Sequence, residues 1–234
     1  MNSYIKTLVY MFKRFKKSYL ILIAILLGIT IFSKTMWLLF SNGSQGMNNS
    51  FDFAFLIYTF VFFIAMFKES FNHLSMNGVT RKTFFIANSI FLLFVSLAIE
   101  ITSIAFIGIN GLLGIHSKLL LDMIYQCSFF EIIILGLCVS ILASFIGWLC
   151  SMLTYRFGNY MILVIVFVPQ ILLTIFGAVI SKADKAEEIS YLMRYYFGFA
   201  NGPQPLIACT NLIITAAVIA IINWAFMRKL AVRV

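Results

Sequence analysis

Six long runs of apolar residues dominate this chain and limit what it can fold into. They lie near residues 18–40, 51–67, 83–113, 128–154, 159–180 and 205–227. A hydrophobic stretch of ~20 residues can cross the hydrocarbon core of a bilayer as an α-helix. Hydrophobic residues make up 62% of the sequence and charged residues 11%, whereas soluble domains carry about 25% charged residues. We therefore expect an all-α membrane protein with six transmembrane helices.

The basic residues are distributed in a way that predicts an orientation. With the N-terminus in the cytoplasm, the cytoplasmic side carries Lys6, Lys13, Arg14, Lys16, Lys17, Lys68, Arg81, Lys82, Arg156, Arg228, Lys229 and Arg233. The other side carries Lys118, Lys182, Lys185 and Arg194. This bias agrees with the positive-inside rule, so we expect a multi-pass protein of the cell membrane with both termini in the cytoplasm. Frequent Phe, Ile, Lys, Asn and Tyr suggest a bacterial source. No linker divides residues 1–234, which we treat as a single membrane domain.

Residues 2–17 form a basic amphipathic segment in front of the first apolar run. On a helix, apolar and basic side chains fall on opposite faces. The apolar face holds Tyr4, Ile5, Leu8, Met11, Phe12 and Phe15, and the basic face holds Lys6, Lys13, Arg14 and Lys17. Such a helix suits the cytoplasmic headgroup layer. It is either a plain anchor for the first span or a surface that also contacts a cytoplasmic partner.

A compact polar stretch, KESFNHLSMNGVTRKTFF at residues 68–85, separates the second and third apolar runs. Its first part can form a helix on which Phe71 and Leu74 share one side. Asn77-Gly78 is a good helix stop because glycine accepts the left-handed conformation, and Thr80 can cap the next helix. We expect a short cytoplasmic helix with Phe71 and Leu74 exposed, which is either a docking element or a solvated loop.

This polar stretch, together with the chain length, the basic N-terminal segment and the hydropathy pattern, resembles the permease subunits of ABC-2-type ABC transporters. The motif residues that carry the resemblance are Asn77, Gly78, Thr80, Arg81, Lys82, Phe84 and Phe85. The hydropathy pattern covers nearly the whole chain, whereas the residue motif covers only this short segment. The resemblance implies six spans, an inward N-terminus, and a coupling helix between spans two and three that binds a separate ATPase subunit.

The same resemblance implies a set of site residues and partners. The ATPase-docking residues would be Glu69, Phe71, His73, Leu74, Asn77, Gly78 and Arg81. ATP and Mg²⁺ would bind to the partner ATPase, and a second permease chain, identical or homologous, would complete the transport path. Residues 181–204 would form short re-entrant or interfacial helices between spans five and six, because aromatic rings prefer the membrane interface. The alternative is a surface loop with a few aromatic anchors.

Three residues within the apolar runs are candidates for a translocation path. Glu100 lies near the middle of the third run, where a charged side chain costs about 2.5–3.5 kcal/mol on insertion scales. Glu100 either lies on the translocation path or couples transport to the ATPase, or it has a structural role as a protonated or hydrogen-bonded carboxyl group. Pro169 interrupts the fifth run and Gln170 follows it. A proline there removes a helix hydrogen bond and can open a cavity, and ordinary helix curvature is the alternative.

Small residues recur at every fourth position of the fourth apolar run. They form the two sets Gly136, Ser140, Ser144 and Ala143, Gly147, Ser151. Small side chains let helix backbones approach closely within a membrane. We therefore expect both sets to lie at helix–helix contacts inside the chain.

No catalytic or metal site is expected. The sequence contains neither a Gly-x-x-x-x-Gly-Lys-Ser/Thr loop nor a His-Glu-x-x-His or Gly-x-Ser-x-Gly motif. We expect no cofactor in this chain and no nucleic-acid partner, only the bilayer and the transporter subunits. The expected function is that of a permease subunit of an ABC exporter for amphipathic or antimicrobial peptides or other hydrophobic compounds. The alternatives are the substrate-binding membrane subunit of an energy-coupling-factor vitamin importer and a non-transporting membrane regulator.

Overall fold

The described part of the chain is helical in the computed structural model. The described residues are 3–40, 51–113, 119–125, 128–158, 160–161, 191, 193–199 and 202–230. The helices with defined bounds are α1 (Ser3–Phe40), α2 (Asp52–Met76), α3 (Arg81–Leu112), α4 (Leu120–Tyr125), α5 (Phe129–Phe157) and α6 (Pro205–Arg228). No β-strand occurs among these residues.

Five of these helices, namely α1, α2, α3, α5 and α6, are long and apolar enough to cross a membrane. The shortest of them, α6, has 24 residues and is therefore about 36 Å long. That length exceeds the hydrocarbon core of about 30 Å. The expectation of an all-α, multi-pass membrane protein is confirmed in this coarse form. The predicted fifth run, 159–180, lies almost entirely outside the described residues.

Helix α1 is one uninterrupted helix of 38 residues, about 57 Å long. The structure does not separate the predicted amphipathic helix over 2–17 from the predicted span over 18–40. The physical reason is that no glycine or proline separates the two parts, and basic side chains do not interrupt helix hydrogen bonds. Of the predicted apolar face, Met11 and Phe15 are buried, whereas Tyr4, Ile5 and Phe12 are exposed.

Helix α5 lies at the centre of the bundle, where it packs against α2, α3, α4 and α6. In its most apolar stretch 50% of the residues are buried, compared with 11% in α1. Gly147 faces α2 so closely that a Cβ atom there would lie 2.6 Å from the carbonyl oxygen of Phe60. One turn later, Ser151 donates a hydrogen bond to the carbonyl of Ile64 at 2.6 Å. The helix packing predicted from the small residues is confirmed.

Contacts between helix ends define the two ends of the bundle. Arg14 of α1 forms an ion pair with Glu69 near the end of α2. The Arg81 guanidinium donates to the carbonyl of Arg228 at 2.7 Å, which joins the start of α3 to the end of α6. We call this the basic end because exposed basic residues gather at its helix ends, namely Lys68, Arg81, Lys82, Arg156, Arg228 and Lys229. At the opposite end, Lys34 donates to the carbonyl of Leu113.

Candidate functional site

The turn between α2 and α3 has the geometry that its sequence predicts. Gly78 has a φ of 76°, in the left-handed region that glycine adopts easily. The amides of Gly78 and Val79 donate to carbonyls of the last turn of α2 at 3.1 and 3.0 Å, which forms a Schellman motif. The Thr80 side chain accepts a hydrogen bond from the Thr83 amide at 3.2 Å and so caps α3. The predicted helix stop and helix cap are both confirmed.

Phe71 and Leu74 face the interior of the bundle, with exposed fractions of 0% and 6%. The Phe71 ring packs against those of Phe67, Phe84 and Tyr155, with centroid distances of 5.3, 5.5 and 5.7 Å. The expectation that these two side chains are exposed is therefore wrong. Residues 68–76 are the last turns of α2 and not a separate helix, so their apolar side continues the packing of α2 against its neighbours.

Three other predicted docking residues make contacts with other helices. Glu69 pairs with Arg14, and the His73 ring stacks on Tyr10 with a centroid distance of 4.8 Å. Both contacts hold the first turns of α1 against the end of α2. Arg81 bonds to the end of α6, as described above. These residues connect helices at the basic end, and their docking role stays a prediction.

The outer surface of the turn remains exposed. Met76 has an exposed fraction of 64%, and Asn77, Gly78 and Thr80 beside it are also exposed. Methionine is flexible and polarizable, so it adapts well to a partner surface. Met76 thus takes the place of Phe71 and Leu74 as the apolar side chain that this turn presents outward.

A second candidate site is a small cavity between α2, α3, α4 and α5, with a volume of about 70 Å³. Its charged and hydroxyl side chains come from Asp52, Glu100, Ser103 and Ser140. The Ser140 hydroxyl donates to Oε1 of Glu100 at 2.8 Å, and Ser103 donates to the Asp52 carboxylate. The cavity therefore brings together two carboxyl groups from different helices, each with a hydroxyl partner.

Gly136 of α5 makes room for the Glu100 side chain. A Cβ atom at position 136 would lie 2.7 Å from Oε2 of Glu100, so any larger residue would displace the carboxyl group. The rest of the lining is mainly apolar, and charges interact strongly in such surroundings. The site can therefore hold a proton or contact a cationic or hydroxyl group. Its volume is well below the roughly 300–1,000 Å³ of pockets for drug-sized ligands.

Sequence reasoning identified Glu100 but missed Asp52 and Ser103. Ser103 lies three residues from Glu100 and thus on the same side of α3, which was the available signal. Asp52 gave no comparable signal, because it is the first residue of α2 and is distant from Glu100 in sequence. Ser140 was assigned to helix packing alone, and the structure adds its hydrogen bond to the carboxyl group.

Pro169 and Gln170 lie outside the described residues. Within the predicted segment 181–204, residues 193–196 are helical and Tyr191 and Tyr195 are exposed. Among the described residues, no group of three or more His, Cys, Asp or Glu side chains could hold a metal ion. No protein-family model, no curated protein and no solved structure matches this chain.

Proposed function

We propose that this chain is the membrane-spanning subunit of an ABC exporter, driven by a separate cytoplasmic ATPase that binds ATP and Mg²⁺. The observation that carries the proposal is the α2–α3 turn at the basic end. It presents Met76 and several polar groups outward, while its inner residues contact α1, α5 and α6. A partner that moves this turn would therefore act on several helices at once.

The proposed topology has six spans with both termini in the cytoplasm. Contacts at the basic end support an inward N-terminus, because the first turns of α1 and the end of α6 lie there together. The relative direction of α5 and α6 supports a further span between them in the sequence. The Asn223 side-chain amide donates to the carbonyl of Phe145 at 3.1 Å, and Cys138 lies in one apolar cluster with Cys209, so the two helices run in the same direction. A span in 159–180 would return the chain to the end where α6 begins.

For the transported compound, we propose amphipathic or antimicrobial peptides or other hydrophobic molecules, moved out of the cell or the membrane. Glu100 would lie on the path or couple it to the ATPase, and Pro169 and Gln170 would contribute to the same path. A second permease chain, identical or homologous, would complete it. The alternative of a vitamin-capturing subunit gains no support from the cavity at Glu100, which is too small for a vitamin.

The decisive experiment combines purification of the tagged protein from its native membrane with a matched pair of substitutions. Met76→Asp places a charge on the proposed contact, and Met123→Asp places one on a methionine of α4 at the opposite end. The exposed fractions of the two methionines are 64% and 63%, so the two changes perturb the fold equally little. We expect a P-loop ATPase and vanadate-sensitive ATP hydrolysis to accompany the wild type and Met123→Asp.

Met76→Asp should lose both the ATPase subunit and the ATP hydrolysis, because burying an unpaired carboxylate in an interface costs several kcal/mol. Equal co-purification with both variants would show that the turn is not the docking surface. A wild-type preparation without any P-loop ATPase would refute the transporter assignment itself and would favour a membrane regulator.

A further inference from the structure

An open groove of about 390 Å³ runs between α3 and α6 at the basic end. Five of its lining residues are apolar or aromatic, and the sixth is Lys82. The lining consists of Lys82, Phe85, Ile86, Ala220, Ile221 and Trp224. The rings of Phe85 and Trp224, which both line the groove, have centroids 5.0 Å apart. Both helices are among those that can cross a membrane, so lipid can reach an open groove between them.

Positive charge is concentrated at one end of this groove. Arg228 lies one helical turn after Trp224, and its guanidinium carbon is 5.9 Å from the centroid of the indole ring. Arg81 bonds to the carbonyl of Arg228 and so fixes the two helix ends relative to each other. Within the described residues, none of Arg81, Lys82 and Arg228 forms an ion pair. Lys82 in the groove and Arg81 and Arg228 at the adjoining helix ends therefore have no carboxylate partner among the described residues.

We propose that this groove binds an anionic phospholipid of the surrounding membrane. The phosphate group contacts Lys82 and Arg228, and an acyl chain lies along Phe85, Ile86 and Ile221. The lining matches both the phosphate group and the acyl chain. The cations attract an anion at the depth of the headgroups, and the adjoining apolar side chains can pack against a flexible hydrocarbon chain. A phosphatidylcholine headgroup fits less well because its quaternary ammonium is repelled by the same cations.

The position of Trp224 provides a direct probe of occupancy. The protein is reconstituted into phosphatidylcholine vesicles with increasing fractions of brominated phosphatidylglycerol or brominated phosphatidylcholine, whose bromine atoms quench nearby tryptophans. The difference between wild type and Trp224→Phe isolates the signal of this residue. Each basic contact with an anionic lipid is worth about fivefold in binding constant. Two contacts therefore predict a preference of roughly 25-fold for phosphatidylglycerol.

Matched variants distinguish lipid binding in the groove from attraction of lipid by the general positive charge of the basic end. Lys82→Gln and Arg228→Gln should each reduce the preference about fivefold, whereas Lys68→Gln, an exposed lysine of the same end, should leave it unchanged. Ala220→Phe fills the groove and should reduce quenching by both lipids, whereas Ala225→Phe on another face of α6 should not. All variants are compared at equal yield and elution volume in size-exclusion chromatography.

Three results would overturn the proposal. Equal quenching by the two lipids, or a loss in Lys68→Gln as large as that in Lys82→Gln, would mean that no specific lipid site exists. Displacement of brominated phosphatidylglycerol by millimolar soluble glycerol phosphate would reveal a phosphate site that does not use the acyl chain. Retention of the lipid against glycerol phosphate supports the assignment.

Discussion

Gly147 permits the closest approach of α5 to α2, and Gly147→Ala tests how tightly these helices are packed. The added methyl group would lie 2.6 Å from the carbonyl oxygen of Phe60 and 3.3 Å from Cβ of Phe63. Neither atom can rotate away, because a helix carbonyl and a Cβ atom are fixed by the backbone. The matched control is Gly136→Ala, whose methyl group would meet only the carboxyl end of the flexible Glu100 side chain.

The expected change in stability combines two opposing contributions. Alanine is more favourable than glycine in a helix interior by about 1 kcal/mol. Overpacking a close contact costs about 1–3 kcal/mol, and the upper part of that range applies to Gly147 because two backbones must separate. Gly147→Ala should therefore lower the free energy of unfolding by about 1–2 kcal/mol. At Gly136, a strained Glu100 rotamer costs about 0.5–1.5 kcal/mol, which offsets the helix gain and leaves stability nearly unchanged.

Thermal unfolding in detergent micelles with a thiol-reactive fluorophore measures this difference. Cys138, Cys150 and Cys209 are free and buried, so they react only when the bundle opens, and a Cys127→Ser background confines the signal to them. At this chain length 1 kcal/mol shifts Tm by about 2–4 °C. We expect Tm to fall by about 2–8 °C in Gly147→Ala and to stay close to the parent in Gly136→Ala. An unchanged or raised Tm in Gly147→Ala would refute the close contact.

Two further substitutions test the helix cap and the cavity. Thr80→Ala removes the acceptor for the Thr83 amide and should lower the free energy of unfolding by about 1 kcal/mol. Thr80→Ser should restore it in the same assay, and equal Tm values for all three proteins would contradict the cap. Glu100→Gln keeps an oxygen for the Ser140 hydroxyl but cannot ionise, so Tm should change little. If Glu100 acts in transport, cells with this variant should resist amphipathic peptides no better than cells without the protein, and full resistance would assign Glu100 a structural role.

Helix positions in the described part of the chain were largely predictable from hydropathy. The third apolar run, 83–113, corresponds to α3 at Arg81–Leu112, and the sixth, 205–227, corresponds to α6 at Pro205–Arg228. This agreement has a physical reason, since a chain in lipid must satisfy its backbone hydrogen bonds within each apolar segment. Local rules also predicted the turn after α2, because the left-handed glycine and the threonine cap depend only on neighbouring residues.

Side-chain surroundings were not predictable in the same way. Phe71 follows a lysine and a glutamate closely in sequence, and an apolar residue in such a polar stretch looks the same whether it faces a partner or its own bundle. Only the packing of α2 against α3 and α5 decides that it is buried. The cavity at Glu100 depends likewise on contacts between helices distant in sequence, which the sequence alone does not reveal.

The continuity of α1 has a mechanical consequence. This helix is attached to the end of α2 through Arg14 and Tyr10, and about 20 residues later Lys34 attaches it to Leu113, the residue that follows α3. An α-helix resists compression along its axis, so α1 links the basic end of the bundle to the opposite end as one stiff element. A displacement of the α2–α3 turn would then be transmitted through α1 to the opposite end of α3, although α1 does not line the cavity at Glu100.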